Sequence, residues 1–273
     1  MCAIIDAVVK QNDNILALCY KKYIDNGRNV NYIIQHKARL LFVATDKGSR
    51  KIPLFFCEER MKNKVIAYVD GFNLFYCCLK GTPYKWLDLY KLAESMLQPE
   101  DELIAIKYFT AKIKSHKNEP ERSMRQNVYL EALATNPKII IKLGYFSVHK
   151  TKMPLADEWD NGQIKMIDVI KTEEKGTDVN LAVQMVADAK DNLFDKALLF
   201  SNDSDMSYAV QIAAKDCHKT IGLFIDRNAV SFKTLKENVT FIKRLTPSIF
   251  ASNQLPEEIV TSTGRVIHKP NEW

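Results

Sequence analysis

From Met61 to Leu245 the chain alternates short apolar runs with stretches of helical period. The runs are Val65 to Val69, Leu103 to Phe109, Ile139 to Phe146, Ala197 to Phe200, Thr220 to Ile225 and Val239 to Leu245, each rich in Ile, Val, Leu, Phe or Tyr. Apolar runs of this length read as strands buried on both faces. The helix candidates between them are Leu87 to Leu97, Pro120 to Ala134, Asp178 to Asn192, Ser204 to Lys215 and Ser231 to Lys236. In the fourth of these, Met206, Ala209, Val210 and Ala213 recur at helical spacing. Strand, helix, strand in repetition predicts an α/β fold with a mostly parallel sheet covered on both faces. Val148 to Lys171 is polar and turn-rich, an excursion near the site with a hairpin over Ile164 to Ile170.

The flanks are less regular. In residues 1–60 a short helix is expected over Ala3 to Val9 and short strands over Leu40 to Thr45 and Ile52 to Phe56. This N-terminal extension is expected to be a poorly ordered appendage or sequence upstream of a start at Met61. The alternative is a small domain with a hairpin from Leu40 to Phe56. Residues 61–246 form the main domain, and 247–273 read as a surface tail that Ile267 and Trp273 could dock.

Composition narrows the class. At 273 residues, 47% hydrophobic and 26% charged, the chain can bury a full core. No stretch approaches the roughly 18 to 20 apolar residues of a membrane helix. Asp6 stands where a signal peptide wants an apolar centre, so a cytoplasmic, non-membrane protein is expected. Six cysteines, at 2, 19, 57, 77, 78 and 217, form no C-x-x-C pair. They read as free buried thiols rather than a disulfide or zinc framework.

Charge is uneven. Lys107 to Lys152 carries ten Lys or Arg against three Glu, whereas Met153 to Asp191 carries nine acids against four Lys. A basic zone beside an acidic one suits a metal enzyme acting on a polyanion, and equally suits an ordinary solvated helix face.

In an open parallel sheet, ligands bind beyond the carboxyl ends of the strands, where the order reverses. The first run ends on Asp70, followed by Gly71 and Asn73; the run "KALLF" leads into "SNDSD", which holds Asp203 and Asp205. Asp178 falls in the first turn of a helix whose Leu181, Met185 and Ala189 face the core, with Thr177 as its expected cap. Four carboxylates can thus converge at one sheet edge, where like charges repel unless a hard divalent cation sits among them. Each acid also has a local alternative: Asp178 favours a helix dipole, Asp203 or Ser204 caps a helix, and Asp70 closes an Asp-Gly turn. The chain has no G-x-G-x-x-G or G-x-x-x-x-G-K-[ST] loop, and Phe72 stands where a haloacid-dehalogenase-like phosphatase needs a second Asp.

"VDGFNL", "EKGTDVNLAVQM" and "FSNDSDM", in that order, resemble the NYN domain, a branch of the PIN-like and FLAP-nuclease-like superfamily. The resemblance covers roughly Lys64 to Leu245. It implies a Rossmann-like three-layer α/β/α sandwich and, for active members, a Mg²⁺- or Mn²⁺-dependent ribonuclease leaving a 5′-phosphate and a 3′-hydroxyl. Asp70, Asp178, Asp203 and Asp205 match the family's metal-binding acids. Asn73 matches its polar helper, and Lys175 the basic residue of its K-G-x-D block. Two positions depart from the pattern: Asn202 replaces a frequent Gly, and Gln184 replaces a further acid of some relatives. The five histidines, His36, His116, His149, His218 and His268, lie outside the three blocks, which argues against a histidine ribonuclease. Lys112, Lys114, Lys117, Arg122 and Arg125 are candidates for holding an RNA backbone. Tyr84, Trp86 and Trp159 are candidate stacking platforms or, equally, packing residues. The rival reading is a non-catalytic RNA-binding or regulatory module of the same fold, and the sequence leaves homodimerisation open.

Overall fold

The computed structural model describes residues 62–114, 121–155, 165–226 and 233–273, together with the backbone of four strands before them. Those four are β1 (Ala3–Asp6), β2 (Leu18–Asp25), β3 (Arg28–Gln35) and β4 (Arg39–Leu41), an antiparallel sheet in the order β1-β2-β3-β4. Ala3–Asp6 is therefore a strand, not the expected helix. It belongs to a first compact unit, Met1–Lys62, and Asn63–Trp273 forms a second. Most of the expected Leu40 to Phe56 hairpin, together with Lys117 and Trp159, lies outside the described residues.

The second unit is built on seven strands: β5 (Asn63–Asp70), β6 (Asp101–Ala111), β7 (Ile139–Pro154), β8 (Met166–Lys175), β9 (Lys196–Phe200), β10 (Thr220–Asp226) and β11 (Phe241–Leu245). Their order is β11-β10-β9-β5-β6-β7-β8, parallel except for β8. The chain winds outward from β5 through β8 and returns to the other side of β5 with β9. The reversal lies between β5 and β9, and their register sets Val69 beside Phe200. Helices α1 (Gly71–Leu74), α2 (Leu89–Glu94), α3 (Glu121–Ala134), α4 (Thr177–Lys190), α5 (Ser207–Gln211), α6 (Lys233–Lys236) and α7 (Pro247–Ser252) cover it.

Both faces of the sheet are dry, as the continuous apolar runs demand. Val65, Ala67 and Val69 enter one core with Trp86, Tyr129 and Leu133. Ile66 and Tyr68 enter the other with Leu181, Met185 and Ala189 of α4. This alternation of period two puts Asp70 on the side of Ile66 and Tyr68, the side that α4 covers.

Two stretches differ from expectation, and so do the thiols, which were expected to be buried. Val148 to Lys171 is largely a two-stranded arm, with β7 running on to Pro154 and pairing with β8 from Tyr145↔Lys175 to Pro154↔Met166. Its polar pattern follows from exposure on both faces, which leaves residues such as Tyr145 and Ile170 in solvent. Residues 247–273 are ordered by packing: Phe250 and Ile267 are buried, Trp86 Nε1 donates to the Pro256 carbonyl at 2.7 Å, and β12 (Glu258–Val260) pairs with β13 (Val266–His268). Cys77 is exposed and Cys78 and Cys217 half-buried, all three free. Among the described residues no helix is long and apolar enough to cross a membrane.

Buried charges in the sheet are paired. Lys107 Nζ and Tyr68 Oη both donate to Asp188 Oδ2 at 2.6 Å, and Gln184 donates to Oδ1 at 2.9 Å. Gln184, which departs from the family pattern, thus serves this network. Burial, then the hydrogen bond to Asp188, raises the Tyr68 phenol. Removing one member of a buried pair strands the other charge. Asp188→Ala should therefore cost about 3 to 5 kcal/mol in urea denaturation, and a loss below about 1 kcal/mol would show the pair to be incidental.

Candidate active site

Asp70 ends β5 at the reversal and is only 4% exposed. Its Oδ1 accepts the Asn73 backbone N–H at 2.9 Å, so it caps α1, and its Oδ2 accepts the Ser201 hydroxyl at 3.1 Å. Gly71 is required by space: a Cβ there would lie 2.7 Å from Tyr108 Oη and 2.8 Å from the Phe109 carbonyl oxygen. The Asn73 side-chain carbonyl accepts the Asn202 backbone N–H at 2.9 Å, tying the turn after β5 to the turn after β9. Asn73 therefore acts on the backbone here, whereas the family role implied a polar helper to the acid.

After β9 the chain turns through Ser201, Asn202 and Asp203. The Asp203 N–H donates to Ser201 Oγ at 3.1 Å, and Asp203 Oδ1 caps the next turn by accepting the Asp205 N–H at 2.9 Å. Ser201, 2% exposed, thus joins Asp70 to Asp203. Asn202 Oδ1 accepts the Asp226 N–H at 3.2 Å and so reaches the end of β10. Capping and clustering coexist, because a carboxylate that caps through one oxygen keeps another.

Asp178 lies in the first turn of α4, but its neighbour is not the cap. Gly176, with φ of 87°, takes the cap position. Glu174 Oε1 accepts the Thr177 N–H at 3.0 Å and also the Thr177 hydroxyl. The expectation that Thr177 caps the helix is corrected: its hydroxyl is a donor here, and it is the first helical residue.

Charge links these elements. Burial raises the Asp70 carboxyl to about 6 against its hydrogen bonds from Asn73 and Ser201, and the charges of Asp178 and Asp203 add to the rise. Asp178 is raised by burial and then by Asp203, Glu174 and Asp205. The charges of Asp178 and Asp203 thus reach Asp70, and those of Asp203 and Asp205 reach Asp178, Asp205 itself being exposed. Among the described residues, no three His, Cys, Asp or Glu side chains form a ready-made metal cage. Each of the four acids offers oxygen, the ligand type that a hard divalent cation takes.

The predicted basic residues divide. Arg122 and Arg125 line one cavity of about 820 Å³ beside Gly71, whereas Lys112 lines a separate hollow with Asn127 and Ile141. Lys114 is exposed. Lys175 is bound to Glu173 at 3.1 Å. Trp86 is fully buried and Tyr84 packs on the same core, so neither is a surface platform. Ser201, Glu174 and Asp226 were not singled out from the sequence. Asp226 obeys the rule that selected Asp70, being the carboxylate that ends a buried strand.

Asp70 carries a pH signature. Its folded pKa of about 6 exceeds the usual carboxylate value of about 4. Between these values the unfolded chain releases a proton that the folded chain retains, so stability falls as pH rises. Asp70→Asn removes the charge, keeps an oxygen for the Asn73 N–H, and sets an NH₂ donor against Ser201 Oγ in place of the present acceptor. The metal-free variant should be more stable than wild type by on the order of 2 to 3 kcal/mol at pH 7, with the gap closing near pH 4. A pH-independent gap in thermal denaturation would contradict this.

The NYN domain model matches residues 64–244. The chain is 30% identical over 232 residues to the 6-hydroxy-3-succinoylpyridine 3-monooxygenase HspA of Pseudomonas putida, covering 76% of this chain and 74% of that protein. A solved protein of unknown function from Vibrio parahaemolyticus aligns with a TM-score of 0.44 and 17% identity, over 72% of this chain and 99% of that one. The chain belongs to the NYN domain family, within the PIN-like nuclease superfamily.

Proposed function

We propose that the chain is a ribonuclease that hydrolyses RNA phosphodiester bonds, with one or two Mg²⁺ or Mn²⁺ ions held by Asp70, Asp178, Asp203 and Asp205. The observation that carries this reading is the crowding of acids at the sheet reversal, where burial and neighbouring carboxylates hold Asp70 up at about 6. Family membership supports it, because the fold is that of a nuclease-like superfamily and a nucleic acid is the substrate such a fold suggests.

A cation held there would polarise the phosphoryl oxygen and lower the pKa of an attacking water. The chain's own groups do the positioning. Ser201 fixes Asp70 Oδ2 and the Asp203 backbone together. Asn73 and Asn202 hold the turns after β5, β9 and β10 in one arrangement. Attack by water and departure of the ribose oxygen leave a 5′-phosphate and a 3′-hydroxyl. Lys175 is tethered by Glu173, which it shares with Lys171.

A second reading rests on the Pseudomonas relative, whose name assigns it a hydroxypyridine acid as substrate. The cavity beside Asp70, aromatic and basic in lining, is what favours a small aromatic acid.

Wild type and Asp203→Asn, purified in parallel, separate these readings on RNA and DNA with Mg²⁺, Mn²⁺ or chelator, and on a hydroxypyridine acid supplied with O₂ and a two-electron reductant such as NADH. RNA cleavage that needs the cation and falls more than about a hundredfold in the variant is expected, a larger loss than residues that only orient a metal ligand produce. Equal cleavage by both proteins would mark a contaminant and remove the ribonuclease reading.

A further inference from the structure

A cavity of about 820 Å³ opens beside the turn after β5, with Gly71, the residue after Asp70, in its wall. That volume lies within the range of sites for small organic ligands. Its walls are aromatic. The Phe72 and Tyr76 rings stack at 6.4 Å, Tyr108 meets Tyr129 at 6.5 Å, and Trp273 meets Tyr129 at 5.5 Å. Its rim is basic: Lys80, Lys85, Arg122 and Arg125 outnumber Glu121 and Glu272.

Two features point to what would fit. Arg122 donates to Tyr76 Oη at 3.0 Å, and Lys80 lies 5.1 Å from the centre of the same ring, so cationic groups flank an exposed aromatic face. Arg125 binds Glu272 Oε2 at 2.6 Å, so an anion already occupies one position at this rim. A flat ring joined to an anion answers both features, as stacking faces are indifferent to base identity and guanidinium groups suit phosphate.

We infer that this cavity receives one unpaired nucleobase of the RNA strand, with the adjoining phosphate held by Arg122 and Arg125 in the place that Glu272 occupies. The identity of the strand rests on the ribonuclease reading. Gly71, which follows Asp70 directly, is where the wall of this cavity meets the turn after β5. By seating an unpaired base the enzyme would select single-stranded RNA, since a paired base cannot leave its stack without an unpairing cost.

The probe is a short oligouridine with one 2-aminopurine, titrated in EDTA so that cleavage plays no part. Stacking should quench the fluorophore. Tyr76→Ala and Arg122→Gln should each weaken binding roughly tenfold or more, the scale of one lost base stack or phosphate contact. Both residues are exposed, and unchanged melting curves would confirm that the variants fold; if one fails to fold, the other decides. Absent quenching, unchanged affinity in the folded variants, or displacement by a hydroxypyridine acid but not by AMP would overturn the assignment. Quenching without Mg²⁺-dependent cleavage in a parallel assay would uphold the pocket while removing the ribonuclease reading. Cleavage without quenching would do the reverse.

Discussion

The parallel pairing of β5 with β9 at the point where strand order reverses is the constraint on which the site depends. It sets Val69 beside Phe200, so the next residue of each strand, Asp70 and Ser201, meet in a buried hydrogen bond. Everything functional follows outward from that contact. Ser201 also takes the Asp203 backbone, Asn73 takes Asn202, and Asn202 takes Asp226. Three strand ends are thereby locked together before any ligand arrives, which is the preorganisation a charge-stabilising site needs.

Elsewhere the same protein neutralises its buried acids. Asp188 has Lys107, and Asp101 has Lys196 and Asn63, whose hydrogen bonds outweigh burial and hold its carboxyl low. At the reversal the neighbours of Asp70 are two hydroxyl and amide donors and more carboxylates. The fold thus supplies lysine to Asp188 and Asp101, whereas the charges that bear on Asp70 are those of Asp178 and Asp203, and a cation there is what the proposed function would add. Strained electrostatics of this kind marks functional sites and costs stability there.

Much of this was legible in the sequence because dry strands impose an unambiguous pattern. The strands ending at Asp70 and Phe200 are readable from Val65 to Val69 and Ala197 to Phe200, and a strand end in such a sheet is where ligands bind. What escaped reading has physical causes. The arm of β7 and β8 is wet on both sides, so no alternation announces it. Glu174 caps α4 by reaching forward from the strand end, and Thr177 suits a cap chemically without occupying that position. The cavity draws walls from Gly71, Tyr108 and Trp273, which the chain keeps apart until it folds. Asp226 escaped because its strand was ended one residue early.

The most direct measurement is anomalous diffraction from crystals grown with Mn²⁺. Manganese density among the carboxylates of Asp70, Asp178, Asp203 and Asp205, absent from an Asp70→Asn crystal treated identically, is the predicted result. Crystals that take up manganese elsewhere, or show the four side chains unchanged and unliganded at millimolar Mn²⁺, would contradict it.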